Sequence, residues 1–277
     1  MTIQQLKRVF NSELSHIYPQ TEVDSFYFLL MEAFFQLKRV DLALQSHQEI
    51  EIPKEFHEAL NKLTEQIPIQ YILGKTSFYG LDFFLNNKVL IPRPETEELV
   101  DWIVKDLKNE NYSVLDIGTG SGCIAISIAK STKARVSALD VSNQALEVAK
   151  KNALSNNAQI HFIEDDILNP LKSYSKFNVI VSNPPYVRHL EKTEIQANVL
   201  KNEPHLALFV EDENPLLFYN AIADFALKHL TNNGLLYFEI NQYLGKETLA
   251  LLKSKGFHKM ELKKDIFGND RMIKAQI

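Results

Sequence analysis

The chain has 277 residues, 45% hydrophobic and 23% charged, a globular balance with length enough for one large core or two smaller ones. Its net charge of −5 gives no hint of the basic face that grips nucleic acid nonspecifically, so no direct specific nucleic-acid binding is expected. No apolar run approaches the roughly 18 residues of a membrane span, and the opening "MTIQQLKRVFNSEL" lacks the apolar stretch of a secretory signal. The single cysteine, Cys123, excludes an internal disulfide and a cysteine-based metal cluster, and the eight histidines show no metal-ligand spacing. A cytoplasmic protein without a metal or a membrane partner is expected.

The nine glycines all lie from Gly74 onward, which marks a candidate domain boundary. Before it the pattern is helical. Ile3, Leu6, Phe10 and Leu14 form one stripe. "DSFYFLLMEAFFQL" reads as a more fully apolar helix. Phe56, Leu60, Leu63 and Ile67 form another stripe behind Pro53, a residue tolerated in a first helical turn. Three or four short helices over 1–73 are expected to form a small acidic bundle.

From Thr76 the pattern changes. Alternating aromatics around Gly80 and Asn86-Asn87 predict a β-hairpin, taken here as a linker over 74–92. "PRPETEELVDWIVKDL" predicts a helix started by Pro94, at the head of a third region, 93–277. Strand candidates then follow at 112–117, 134–140, 159–164, 177–182 and 234–240, with helices such as "GCIAISIAKS" and "NQALEVAKKNALSN" between them. This alternation predicts a doubly wound α/β sheet. "HKMELKKD" and "RMIKAQI" predict an antiparallel pair at its edge.

The first of these strands runs into "GTGSG", which opens a helix. Gly118, Gly120 and Gly122 let the backbone turn tightly and approach a ligand. Cys123 stands where a dinucleotide fingerprint needs glycine, and no Gly-Lys-Ser/Thr follows, so neither a nicotinamide site nor a P-loop is indicated. Cys123 reads as a small packed residue at the helix start. Asp140 ends the second strand about 20 residues on, where a carboxylate accepts from ribose hydroxyls. Asp166, with Asp165 as the alternative, follows the third strand and can accept from an adenine amine while the Ile167 N–H meets a ring nitrogen. Asp116, inside the first strand, is placed to orient the loop or to receive a ligand ammonium, and it needs partners because an isolated buried carboxylate is costly. Adenosine with a ribose and no phosphate requirement points to S-adenosylmethionine. The glycine loop with the acidic strand end resembles class I methyltransferases, which implies a Rossmann-like, mostly parallel seven-stranded sheet behind the N-terminal helices.

The fourth strand ends at "NPPY", 183–186, on the ligand side of the sheet. Prolines end a strand rigidly. Asn183 offers a side-chain carbonyl and Pro184 a backbone carbonyl, two acceptors for the two hydrogens of one planar –NH2, and Tyr186 can stack on the group that carries it. Such a nitrogen is a poor nucleophile, and holding both N–H bonds turns its lone pair toward a methyl donor. His189 is expected at the surface and not as a base.

Together "PIQYILGKTSFYGLDFFLNNKVLIPRPETEELV", "LDIGTGSGCIAISIA", "VSNPPYV", "NEPHLAL", "FEINQYLG" and "DIFGNDRMI" resemble the HemK/PrmC family over nearly the whole chain. The resemblance implies a protein-(glutamine-N5) methyltransferase whose partners are peptide chain release factors, methylated at the glutamine of their Gly-Gly-Gln loop. It implies S-adenosylmethionine held by Asp116, Gly118, Thr119, Gly120, Ser121, Gly122, Asp140, Asp166 or Ile167, and Asn183. It implies the glutamine held by Asn183, Pro184, Pro185 and Tyr186, with Asn183, Pro184 and Tyr186 as the catalytic set. The helices of 1–73 are then expected to recognise the protein substrate. One departure is "EINQYLG", which lacks a glycine common after "EI". Arg93, Glu95 and Thr96 carry no assigned role. Three alternatives stay open: a glutamine of a large-subunit ribosomal protein as substrate, an adenine-N6 DNA methyltransferase (though no basic, aromatic target-recognition insertion is present), and a silent donor-binding scaffold.

Overall fold

The computed structural model describes residues 1–107, 111–194 and 197–277, which divide into two compact units, Met1–Gly74 and Lys75–Ile277.

The first unit holds α1 (Ile3–Leu14), α2 (Gln20–Phe35), α3 (Arg39–Leu44), α4 (Lys54–Thr64) and α5 (Ile69–Leu73). Thr2 caps α1: its hydroxyl accepts from the Gln5 N–H at 3.2 Å and its own N–H donates to Gln5 Oε1 at 2.9 Å. Ile3, Leu6, Phe10 and Leu14, the stripe expected from their spacing, are all buried. They meet Tyr27 and Leu30 of α2 and Phe56 and Leu60 of α4 in one core, where Phe10 stands edge-on to Tyr27 at 5.6 Å. The Tyr27 hydroxyl is satisfied by the Ile3 carbonyl at 3.1 Å. Gly74, at φ +66°, stops α5 in the left-handed region that favours glycine.

The second unit opens with β1 (Lys75–Phe78) and β2 (Leu81–Phe84), an antiparallel pair. Its two-residue turn is Tyr79-Gly80, at φ +50° and +73°, the positive values that suit the twist of a tight hairpin. Asn86 serves a later turn, accepting from the Val89 N–H at 3.3 Å. The hairpin is built into this unit: Phe78 and Phe83 lie in its core beside Trp102 and Ile126.

There follow α6 (Pro94–Leu107), β3 (Ser113–Ile117), α7 (Cys123–Ser131), β4 (Arg135–Asp140), α8 (Asn143–Ser155), β5 (Ile160–Glu164) and β6 (Phe177–Ser182). After a short β7 (Val187–Arg188) come a 3-10 turn, α9 (Ala197–Asn202), α10 (His205–Leu208) and β8 (Phe209–Val210). The chain closes with α11 (Leu217–His229), β9 (Leu230–Glu239), α12 (Gly245–Ser254), β10 (His258–Lys264) and β11 (Asp270–Gln276). Among the described residues the main sheet is seven-stranded, in the order β10-β11-β9-β6-β3-β4-β5. β3, β4, β5, β6 and β9 run parallel, and β11 is antiparallel to β9 and β10. This is the doubly wound sheet expected from the alternation of strands and helices, in the seven-stranded, mostly parallel form that the resemblance to class I methyltransferases implied. One apolar core covers each face, one around Trp102, Ile103 and Ile126, the other around Tyr219, Phe225 and Phe238.

Several features differ from the sequence reading: the first unit holds five helices where three or four were expected, and α4 ends at Thr64, so Ile67 lies beyond it. β9 begins at Leu230, not 234, and runs through Asn233 at φ +62°. A register shift against β6 absorbs the irregularity, as a β-bulge does, so "TNNG" reads as a turn but is strand. The described residues between Val187 and Leu216, unassigned from sequence, include β7, the 3-10 turn, α9, α10 and β8, all short and without sustained periodicity. Among the described residues no helix is long and apolar enough to cross a membrane, and no group of His, Cys, Asp and Glu is arranged to hold a metal ion.

Candidate active site

The order of strands reverses at β3, whose neighbours are β4 on one side and β6 on the other. Ligands of such sheets bind above this switch point, at the carboxyl ends of the strands. A cavity of about 450 Å³ lies there. Gly118, Gly120, Asp140, Asp165, Asp166, Ile167, Asn183, Pro184 and Pro185 are on its wall. A second cavity of about 190 Å³ adjoins it, and Asn183 and Pro184 line both. Tyr186 and Arg93 line the smaller one only.

The glycine loop is shaped by φ and by packing. Gly118 and Gly120 sit at φ +73° and +54°, and a Cβ on either would meet no atom within 4 Å, so open space lies above them. Gly122 differs: at φ +82°, its Cβ would come to 3.0 Å from Ile126 Cδ1 and 3.2 Å from Ala149 Cβ. It allows α7 to pack on α8 and lines neither cavity. Thr119 and Ser121 are buried and also lie off the cavity walls. The Thr119 hydroxyl donates to Asp116 Oδ2 at 2.6 Å, and the Ser121 carbonyl accepts from Asn152 Nδ2 at 2.8 Å. Cys123 is packed at the start of α7, where burial pushes its thiol up to about 12 and keeps it protonated.

The acidic residues fall into distinct situations. Asp140 Oδ2 accepts from the Gly120 N–H at 2.8 Å and Oδ1 from the Ser142 N–H at 2.9 Å, so the carboxylate braces the glycine loop and retains lone pairs toward the cavity. Burial raises its pKa, against the backbone N–H groups of Ser142, Gly120 and Val141. Asp165 serves its own loop: burial would raise it, but the Tyr174 hydroxyl at 2.5 Å and the N–H groups of Leu171 and Lys172 hold it below the usual range. Asp166 accepts only from the Leu168 N–H, through Oδ1 at 2.9 Å, and its other oxygen has no partner among the described residues. Asp116 is fully buried beneath the loop, and burial lifts it to about 7. Thr119 serves Oδ2, whereas Oδ1 has no well-formed hydrogen bond, feeling only the nearby Ala125 N–H.

At the end of β6 the Ser182 hydroxyl donates to the Ile117 carbonyl at 2.7 Å, locking the strand exit to β3. Asn183 Nδ2 donates at 3.4 Å to Thr96 Oγ1, a group on neither cavity wall. Its Oδ1 and the Pro184 carbonyl accept no hydrogen bond among the described residues. The Tyr186 hydroxyl donates to Glu239 Oε1 at 3.0 Å, and Thr96 Oγ1 donates to Glu239 Oε2 at 2.7 Å. Burial, then the Glu239 charge, push the Tyr186 phenol far above its ordinary value, so it stays a neutral donor. Burial also raises Glu239, countered by Thr96, by Arg271 and by Tyr186. Arg93 donates to the buried Glu203 carboxylate at 2.7 Å, which also receives the Ile91 N–H at 3.3 Å. Asn241, at the position where the family's glycine is lacking, donates to the Tyr186 carbonyl and to Glu191 Oε2, both at 2.9 Å. His189 stacks on Phe209 at 5.2 Å and lines neither cavity.

Sequence reasoning missed Glu239, Glu203 and Asn241, and left Thr96 and Arg93 without roles. "NEPHLAL" and "FEINQ" stood out only as family segments. A physical signal was present in the isolated acidic residue that follows the run Leu235–Phe238 in β9, a position that calls for a buried partner.

Comparison with known proteins agrees with this architecture. Residues 96–208 match the methyltransferase small domain, and residues 6–74 match the PrmC N-terminal domain. A release factor glutamine methyltransferase of Flavobacterium psychrophilum is 54% identical over 99% of both chains. Proteins of the same name from Bacteroides thetaiotaomicron (42% identical, 95% of each chain) and Lactococcus lactis (43%, 79% of this chain and 81% of the other) are also similar. Among solved structures, a methyltransferase from Pyrococcus furiosus superposes with a TM-score of 0.53 at 19% identity, over 72% of this chain and 90% of the other. A Thermus thermophilus 16S rRNA N2 G1207 methyltransferase, solved with AdoMet and guanosine, gives 0.53 at 18% identity, over 73% of this chain and 49% of the other. Both share the fold.

Proposed function

The chain belongs to the release factor glutamine methyltransferase family, and from that premise we propose that it moves a methyl group from S-adenosylmethionine to the N5 amide nitrogen of the glutamine in the Gly-Gly-Gln motif of peptide chain release factors. The observation that carries the reading is the pair of adjoining cavities with Asn183 and Pro184 as their common wall. One cavity suits a nucleoside-bearing donor, the other a slender side chain.

The residues present fit the donor. Open space over Gly118 and Gly120 admits a ligand against the backbone. Asp140 has lone pairs for ribose hydroxyls, and the spare oxygen of Asp166 suits an exocyclic amine, with the Ile167 N–H beside it. Asp165, committed to Tyr174 and its own loop, is the weaker candidate. Asp116, fully buried beneath the loop, lines neither cavity, so its carboxyl supports the loop from below instead of touching the donor. Thr119, Ser121 and Gly122 act from behind, through Asp116, Asn152 and the packing of α7. S-adenosylmethionine held there supplies an electrophilic methyl on a sulfonium sulfur.

The chain's own task is alignment. Asn183 Oδ1 and the Pro184 carbonyl accept the two hydrogens of the glutamine amide, and Pro185 keeps that backbone rigid. The nitrogen lone pair, otherwise delocalised into the carbonyl, is thereby turned toward the larger cavity. Tyr186 flanks the amide plane. A carbon–nitrogen bond forms as the carbon–sulfur bond breaks, and the surplus amide proton leaves to water. Alignment of this kind is worth roughly 7–11 kcal/mol. The helical unit Met1–Gly74, with its own core and none of the cavity residues, recognises the protein substrate in this reading, and the reaction takes place in the cytoplasm where release factors work.

The test is transfer from labelled donor to intact release factor, to a large-subunit ribosomal protein and to DNA, with the modified residue located by mass spectrometry. Methylation at the Gly-Gly-Gln glutamine alone is expected. Label on the ribosomal protein or on adenine, or none at all, overturns the reading.

A further inference from the structure

Asn183 serves as an acceptor only if its carboxamide is the right way round, and the structure contains a device that decides this. We propose that Thr96 and Glu239 are positioning residues that hold the Asn183 carboxamide with Oδ1 toward the substrate. The inference rests on the glutamine reading above.

The available protons decide the orientation. Glu239, at the end of β9, is almost completely buried, and as a carboxylate it only accepts. It faces two hydroxyls, Thr96 Oγ1 at 2.7 Å and Tyr186 Oη at 3.0 Å, so each must spend its single proton on Glu239. Thr96, in the first turn of α6 and 2% exposed, then has only lone pairs to offer its other neighbour. That neighbour is the Asn183 side chain at 3.4 Å. It must present Nδ2, because Oδ1 would set acceptor against acceptor. With Nδ2 so placed, Oδ1 is left for the substrate –NH2. The opposite orientation would meet the amide with an –NH2 of its own, donor against donor, and could not hold it. The negative charge on Glu239, passed through one hydroxyl, therefore sets the hydrogen-bonding sense of a group on a different strand. The same carboxylate anchors the Tyr186 hydroxyl, so both side chains of the motif are referred to one buried point.

The experiment compares Thr96→Val, Thr96→Ser and Asn183→Asp, singly and with Thr96→Val and Asn183→Asp combined. Turnover is measured at saturating labelled donor and release factor, affinity for S-adenosylhomocysteine by calorimetry, and the Asn183 side-chain amide by its 15N–1H signals. Thr96→Val leaves a buried Nδ2 without a partner and should lower turnover by about tenfold or more, with nucleoside affinity kept. Thr96→Ser restores the hydroxyl and should recover most of the rate. In the Asn183→Asp background either oxygen is an acceptor, so the cost of Thr96→Val should shrink to that of the donor lost to Glu239 Oε2, a fall that a purely structural role for Thr96 would not produce. The amide signals should appear as one protected pair in wild type and Thr96→Ser, and lose protection in Thr96→Val. Wild-type turnover in Thr96→Val, Thr96→Ser as impaired as Thr96→Val, or an undiminished cost in the Asn183→Asp background overturns the proposal. If the wild-type chain is inert on release factor, the substrate reading fails by itself. The amide signals then decide the inference: unchanged protection in Thr96→Val refutes it.

Discussion

Removal of the Asp140 carboxylate should weaken nucleoside binding far more than it weakens the fold. The residue is 9% exposed and stands between the glycine loop and the start of α8, accepting from Gly120 N–H at 2.8 Å and Ser142 N–H at 2.9 Å. In Asp140→Ala those two N–H groups lose an anionic partner. They lie beside an open cavity, so water can replace it, and the loss of stability should stay near 1–3 kcal/mol. Ligand binding has no such substitute, since the ribose would expel that water. Loss of even one hydrogen bond between a hydroxyl and a charged acceptor costs about 1.5–3 kcal/mol, an affinity fall of about tenfold to more than a hundredfold. Asp140→Asn should be no milder despite its matching shape. Its –NH2 must face either the Gly120 or the Ser142 N–H, donor against donor, so the loop itself is displaced. Calorimetric titration with S-adenosylhomocysteine, paired with a thermal melt of each variant, measures both effects. Unchanged affinity in Asp140→Ala, with the fold intact, would refute the assignment of Asp140 to the ribose.

Asn183→Ala removes the proposed amide acceptor and should reduce turnover by about a hundredfold while nucleoside affinity holds; near-normal turnover would defeat the two-acceptor mechanism. Gly122→Ala forces a side chain into φ +82° and against Ile126 and Ala149, so denaturant titration should show a loss of roughly 2–5 kcal/mol, the sum of left-handed strain and overpacking. Gly118→Ala, whose Cβ meets nothing within 4 Å, should show the strain alone and instead weaken nucleoside affinity by filling the space above the loop. Asp116 tests linkage: burial lifts its pKa from 3.8 to about 7, so the folded protein holds a proton that the unfolded chain releases, and stability declines as pH rises through that window. Asp116→Asn should lack this decline and gain on wild type between about pH 4 and pH 8; parallel melting curves across that range would show that Asp116 does not titrate as described.

The sheet was legible because its signal is local. Five parallel strands are apolar runs bounded by turn residues, and the glycine loop and "NPPY" each lie within a few consecutive residues. Their convergence followed from topology, since both follow strands adjacent at the switch point. What could not be read is what depends on distant partners. Thr96 sits in a recognisable helix start, yet its role exists only through Glu239, 143 positions away. Asn152 looks like any polar residue of a helix until β2 is placed beside it. Asp165 and Asp166 are neighbours in sequence and are told apart by Tyr174 and the Leu171 and Lys172 N–H groups, which claim the first. The segment after β7 escaped because its helices are too short to show a period.

Asn152 also bears on how this chain can be recombined with its relatives. Its carboxamide accepts from the Phe84 N–H at 2.6 Å and donates to the Phe84 carbonyl at 3.1 Å and the Ser121 carbonyl at 2.8 Å. A helix side chain thus stands in for a neighbouring strand, stitching the hairpin to the glycine loop. A chimera joined at Arg93, where the sequence suggests that a linker ends, would import a foreign hairpin onto a resident Asn152 and demand that an amide find the same two backbone groups in another chain's geometry. A junction between Gly74 and Lys75 keeps hairpin, helix and loop of common descent. The helices of the first unit could then be exchanged between relatives as a cassette, with the chemistry of the recipient left on its own backbone.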